Sequence, residues 1–352
     1  MKTKIRDIIV YNKPMKKSFI LLITSSLFLS SCSIFNKEKI KQLNIAIAPI
    51  AIPSEILESS ESFKENLRAY LYDEGYDVAK INVEVYDTHE ETRLSVVDGN
   101  ADIAYLPVLQ YLKVINDVDY MASITKPQLD MGLEANAYND ISSSTKPIND
   151  LAYRNALIYT GPSEYGNELY EKFKNNTGIT WIDINVATWC HVVVTSLDGY
   201  VMPSLWLIDE YNRRMGELFD HTLEVRGYED VVKSLANQSC DIAVGPSLLR
   251  YDYEDLWTTE DFGGVNNIFD DVHVIGVTQP IYDDVFVSRV IAEEDDPLSL
   301  EIMTLIQTFL VEYANENPEL YHVLGFKGIE VLDKATYETM IPAYEYVERI
   351  MS

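Results

Sequence analysis

Five histidines, His89, His191, His221, His273 and His322, are all the imidazole that this chain of 352 residues holds, and no two stand at zinc-sharing spacing. The chain has no His-Glu-x-x-His helix, no Gly-x-Ser-x-Gly elbow and no phosphate-cradling Gly-rich loop ending in Lys. Asp261-Phe262-Gly263 copies a kinase tripeptide without its companions. Glu293-Glu294-Asp295-Asp296 lacks the alternation and the Gly of a calcium loop and reads as a solvated turn. One carboxylate pair, Asp198 and Glu229, could serve as acid and base if the fold brought the two to a suitable separation, which nothing in the sequence shows. The inventory favours a binder over a catalyst, with no catalytic residue, no metal ligand and no cofactor assigned.

Residues suited to binding gather in Thr195-Ser196-Leu197-Asp198-Gly199-Tyr200, where a strand gives way to a helix. Ligands of α/β sheets sit at the carboxyl ends of strands, and free amide N–H groups at a helix start attract anions. Ser196 adds a hydroxyl and Gly199 relaxes the backbone, while Asp198 reads either as the helix cap or as a ligand contact. The other expected walls are Tyr105-Leu106-Pro107, Tyr228-Glu229 and Gly245-Pro246. Of the 24 tyrosines, Tyr105 and Tyr228 are the expected ligand contacts; core packing is the ordinary alternative for every aromatic here, Trp181, Trp189, Trp206 and Trp257 included.

Net charge is −28, and residues beyond the first 31 carry 22 basic against 55 acidic side chains. That surface repels nucleic acid and anionic headgroups, which excludes nucleic acid as an expected partner. The basic residues lie disproportionately at the start. Met15-Lys16-Lys17, the apolar run Phe19 to Leu29 and Leu29-Ser30-Ser31-Cys32 form an export signal, too short for a spanning helix of about 20 residues. The Leu-Ser-Ser-Cys ending resembles a bacterial lipobox, which implies that Cys32 becomes a lipid-bearing N-terminus outside the cytoplasm. Cys190 and Cys240 are the remaining cysteines; one bridge is possible, and two buried thiols are the favoured reading.

Leu43 to Pro49, Val83 to Tyr86 and Ala101 to Pro107 read as strands, with helices over Ser62 to Asp73 and Glu90 to Val97 between them. Alternation at this spacing predicts βαβ units and a largely parallel sheet. The pattern returns at an offset of 139: His89-Glu90-Glu91, Ala101-Asp102-Ile103-Ala104 and Pro107 recur as Tyr228-Glu229-Asp230, Cys240-Asp241-Ile242-Ala243 and Pro246. Two α/β lobes on one plan are expected. Further strands are predicted over Tyr153 to Thr160, Trp181 to Val186, Cys190 to Thr195, Val274 to Val277 and Asp284 to Ser288. Helices are predicted over Tyr200 to Leu218, Leu298 to Asn315 and Tyr337 to Met351.

The strand ending in Pro49, Asp102 to Pro107 with Tyr111, Ser196 to Pro203, Gly227-Tyr228-Glu229 and Val277 to Ile281 occur in an order that resembles the phosphate/phosphonate-binding protein family of ABC importers, over residues 43 to 330. The resemblance implies a two-lobed type II periplasmic-binding-protein fold with a ligand cleft and a two-strand hinge. It also implies a small-molecule ligand of phosphonate or phosphate-ester type in the interlobe cleft, and ABC permease and ATPase partners. Where that family has Ser-Thr-Ser-Gly-Tyr and Gly-His-Asp, this chain has Ser196-Leu197-Asp198-Gly199-Tyr200 and Gly227-Tyr228-Glu229. A carboxylate about 4 Å from a phosphonate oxygen repels it by roughly 1 to 4 kcal/mol, more than a helix dipole of about 0.3 to 2 kcal/mol reliably returns. Arg226 and Arg93 are the nearest bases in sequence and read as surface residues.

Pro280-Ile281-Tyr282-Asp283-Asp284 and Leu324-Gly325-Phe326-Lys327-Gly328 are similar to a thiamine-binding lipoprotein family. That resemblance makes thiamine or another cationic aromatic the alternative ligand. The expected organisation is a signal at 1–31, a tether at 32–42, one lobe from 43–158 with 280–352, and a second from 159–279. The expected site is Tyr105, Leu106, Pro107, Ser196, Asp198, Gly199, Tyr200, Tyr228 and Glu229, with Cys32 as lipid anchor.

Overall fold

The computed structural model describes residues 37–352 apart from 143, 219–220, 292–295, 297 and 317–318. Cys32 with its signal, and Glu293-Glu294-Asp295, lie outside the described residues. Residues 37–352 form one compact unit.

Two sheets organise it. In the first the order is Gly328–Glu330, Val118–Leu129, Val285–Arg289, Ile103–Leu106, Leu43–Ile47, Ile81–Val85, with Ile148–Leu151 paired antiparallel to Val118–Leu129. In the second it is Thr222–Glu224, Trp189–His191, Ile242–Pro246, Ala156–Thr160, His273–Val277. Each sheet has three neighbouring parallel strands, then one antiparallel strand that the chain delivers after visiting the other sheet. The crossings meet as a two-stranded ribbon, Tyr153–Arg154 against Ile281–Tyr282. The expected boundary at 158 falls inside Ala156–Thr160, which belongs wholly to the second sheet.

Strand alternation builds the layers. Ile45, Ile47, Tyr105 and Phe286 face one layer with Phe63, Leu67, Ile306 and Phe309 of the helices Pro53–Asp73 and Leu300–Glu316. Ala46, Ala104, Leu106 and Val287 face the other, with Val96, Tyr111, Ala343 and Tyr346. The repeated Asp-Ile-Ala now has a physical basis. Asp102 accepts the backbone N–H of Asn44 at 2.8 Å, and Asp241 accepts that of Thr188 at 2.8 Å. Each carboxylate therefore ties its own strand to the neighbouring stretch of chain that leads into the adjacent parallel strand.

Three differences from the sequence reading stand out. Trp181–Val186 is a helix rather than a strand, closed at its start by the reciprocal bonds of Thr180 and Asp183. The long helix expected from Tyr200 is a π-helical turn Leu197–Val201 and an α-helix Met202–Tyr211, stopped by Asn212 at φ +53°. A third connection joins the lobes besides the two crossing strands. Beyond Leu129 the chain reaches over to the second lobe, where Asn139 exchanges hydrogen bonds with the backbone of Val274 and Arg250 donates to the carbonyls of Tyr138 and Val272.

Cys190 and Cys240, expected as thiols, form a disulfide, both fully buried with Cα atoms 5.8 Å apart. Adjacent parallel strands put them together, since Cys190 pairs with Ala243 just beyond Cys240. With 50 residues between the ends, chain entropy alone gives about 4 kcal/mol of stabilisation. Denatured, unreduced protein should therefore show no titratable thiol from these two, and reductant should lower the chemical-denaturation midpoint. Two reactive thiols and an unchanged midpoint would contradict the pairing.

Candidate functional site

A cavity of about 400 Å³ opens where the ribbon meets both lobes. Pro107, Val108, Leu109 and Gln110 line it from the first lobe, Thr195, Leu197 and Asp198 from the second, and Arg154, Tyr282, Asp283 and Asp284 from the crossing; His89 and Lys126 complete it. A larger hollow, about 620 Å³, lies behind the second sheet around Phe173, Trp206 and Gly276. The smaller cavity is the better candidate, because both strand ends and the hinge converge on it and bring charge.

Arg154 is the centre of that charge. Its Nε and Nη2 donate to Oδ1 and Oδ2 of Asp198, both at 2.8 Å, and its Nη1 donates to Oδ1 of Asp283 at 2.7 Å. Lys126 lies 3.7 Å from the same Asp283 oxygen. The other oxygen of Asp283 is buried without a hydrogen-bond partner. Burial raises the Asp283 carboxyl above the usual carboxylate range, while Arg154 and Lys126 pull it back. Asp284 accepts from the Tyr105 hydroxyl at 3.0 Å and from the Val108 amide at 2.9 Å. Across the cavity, two basic side chains face three carboxyl groups.

The helix start beside Asp198 is capped by Ser196, whose Oγ accepts the Gly199 amide at 3.1 Å; Asp198 is not the cap. The Ser196 Oγ also meets the Tyr228 hydroxyl at 3.3 Å. Burial, and next the charge of Asp198, hold that phenol well above its ordinary pKa. Gly199 is required by close approach: a Cβ there would stand 2.2 Å from Val192 Cγ2 and 3.1 Å from the Tyr228 hydroxyl.

Of the residues singled out by sequence, Pro107 and Asp198 line the cavity, and Ser196, Gly199 and Tyr228 sit together beside it. The others point elsewhere. Tyr105 is 1% exposed, its ring packed on Phe286 and Phe326, and Leu106 is buried on the opposite face. Tyr200 lies edge-on to His191 and lines a different hollow. Glu229 stands on an exposed face, paired with Lys233 at 2.9 Å. Asp198 and Glu229 are thus bound into separate ion pairs. No tryptophan lines the cavity. Arg93 is held by Gln110 and Glu90, and Arg226 is exposed. Arg154, Lys126 and Asp283 were missed as charge carriers of the site. The one sequence cue was the Tyr282-Asp283-Asp284 run, quoted above for its resemblance.

Tyr105 therefore acts through Asp284 and the core. Tyr105→Phe should lower stability by about 1 to 2 kcal/mol, the loss of a charge-assisted hydrogen bond, and leave ligand affinity within a factor of about three. Thermal melting and calorimetric titration check both. A large affinity loss at unchanged stability would place Tyr105 in contact with ligand instead.

No curated protein sequence matches the chain. In fold it is similar to Mh-p37 of Mycoplasma hyorhinis, described as a proposed thiamine pyrophosphate transporter, at 12% identity and a TM-score of 0.59, covering 88% of this chain and 100% of that one. It is similar also to XAC2383 of Xanthomonas citri bound to ATP, at 11% identity and a TM-score of 0.51, covering 88% and 98%. Such likeness shows the two-lobed type II periplasmic-binding fold. Residues 45–337 match the family described as the periplasmic phosphonate substrate-binding protein of ABC transporters. The chain belongs to that family of extracytoplasmic receptors, which take a small molecule and serve a membrane permease and its ATPase.

Proposed function

We propose that this receptor binds, in the cavity around Arg154, a small molecule that joins a phosphonate or phosphate-ester group to a positive charge. The observation that carries the reading is the mixed charge of the walls: Arg154 and Lys126 suit the phosphoryl oxygens, and Asp198, Asp283 and Asp284 suit a cation. A bare dianion would meet Asp198 within contact range of the same guanidinium, and a bare cation would meet Arg154. A zwitterion satisfies both. Thiamine phosphates fall within this class, as do aminoalkylphosphonates; the name of Mh-p37 puts the former among the compounds to test. Tyr282 in the wall and Tyr228 beside it are the aromatic surfaces for a heterocycle.

The lipobox-like ending at Cys32 supports placing the receptor on the outer face of the cell membrane, held by a lipid on that residue. Closure of the lobes on the ligand would then present it to the permease, driven by the ligand's greater affinity for the closed arrangement.

Calorimetric titration of the chain from Cys32 onward, with methylphosphonate, inorganic phosphate, 2-aminoethylphosphonate, thiamine and thiamine pyrophosphate, tests the ligand class. The zwitterions should bind at micromolar strength, about −8 kcal/mol, and the simple anions at least about tenfold more weakly. Equal or tighter binding of methylphosphonate would overturn the class. In cells, Cys32→Ala should move the protein out of the membrane fraction; unchanged fractionation would overturn the anchor.

A further inference from the structure

We infer that Asp198 is a built-in competitor for the ligand's acidic group, and that its pairing with Arg154 determines which ligands the cavity accepts. The inference rests on the charge-paired site proposed above and adds the residue that enforces it.

The guanidinium has two hydrogen-bonding edges in use, and they differ in kind. The Nη1 edge is held by Asp283, whose side chain is 3% exposed and lies within the crossing itself, supported by Lys126. The Nε/Nη2 edge holds both oxygens of Asp198 in a fork-to-fork geometry, and Asp198 comes from the other lobe, on the first turn after Ser196. A phosphonate presents two oxygens at a spacing suited to that same edge. If Asp198 turns away, Asp283 still aims Arg154 into the cavity. The arrangement therefore has one fixed edge and one exchangeable edge, and the exchangeable edge carries an internal carboxylate.

A ligand that offers only an anion must displace Asp198 and leave a carboxylate beside the new anion, without a cation of its own. A ligand with a tethered cation releases Arg154 and pairs Asp198 in the same event. Selectivity against simple phosphate and phosphonate follows from the displaced residue, and the ligand contacts alone do not supply it.

The test repeats the titrations on Asp198→Ser and Asp198→Asn, with melting curves to show that each variant is folded; Asn keeps the size of Asp and removes the charge. Both variants should bind methylphosphonate and inorganic phosphate about tenfold or more tightly than the natural chain, and lose affinity for 2-aminoethylphosphonate and thiamine pyrophosphate. No gain for the simple anions in either folded variant, including no binding by any of the three proteins, overturns the competitor role. A gain in Ser alone overturns the charge argument and leaves a steric one. The ligand class is judged separately by the natural chain: if that chain prefers methylphosphonate, the zwitterion reading fails whatever the variants do. Arg154→Gln should abolish the variants' gain, and a gain that survives it places the anion elsewhere.

Discussion

A guanidinium where two segments of the chain cross constrains everything around it. Arg154 cannot shed its proton, so each edge must find an acceptor or water. The crossing supplies Asp283 and the second lobe supplies Asp198, the latter reached across 44 residues of sequence. Arg154 pairs in register with Ile281, so Asp283 follows two residues later on the paired segment. Asn155 and Thr278 bind the next step, with Asn155 donating to the Thr278 carbonyl at 2.8 Å. The hinge and the charged centre are thus one piece of structure. A change in how the lobes meet must change what Arg154 holds.

The two lobes repeat a plan, and the repetition shows which parts are architecture. Asp102 and Asp241 do the same work at equal distance, each pinning the backbone that feeds the adjacent parallel strand. Their second oxygens diverge: Asp102 accepts from Arg289, and Asp241 from Ser163 at 2.6 Å. The repeated helix starts diverge as well. His89 lines the charged cavity, while Tyr228, its counterpart at an offset of 139, presses its ring on Gly245 and its hydroxyl on Ser196. Shared positions carry the fold, and the unshared chemistry at their tips lies at or beside the candidate site.

This division also explains what the sequence disclosed. Asp-Ile-Ala is local, a turn, a strand start and a fixed offset, so the lobe plan and both helix-to-strand units were legible. A tyrosine at a strand end is expected to face ligand, yet alternation turns the ring of Tyr105 into the layer of Phe286 and Phe326. Ile182, Ile184 and Val186 alternate like a strand; the cap formed by Thr180 and Asp183 decides for helix, with Ile184 inside and Ile182 outside. Arg154 carried no local mark. Its partners lie 44 and 129 residues away, and only the assembled crossing shows that a lone arginine before a buried strand is the centre of the site.

The surplus of acid on this surface bears on the same point. Beyond the first 31 residues, 55 acidic side chains surround 22 basic ones, so an approaching dianion works against the field of the whole protein. Salt screens that field within about 8 to 10 Å, so surface charge slows encounter more than it sets affinity. Inside the proposed site, Arg154 and Lys126 are outnumbered by Asp198, Asp283 and Asp284. Long-range field and local walls therefore favour the same chemistry. Both agree with the proposed ligand class, in which a phosphoryl group arrives with a positive charge that takes the place of Arg154 as the partner of Asp198.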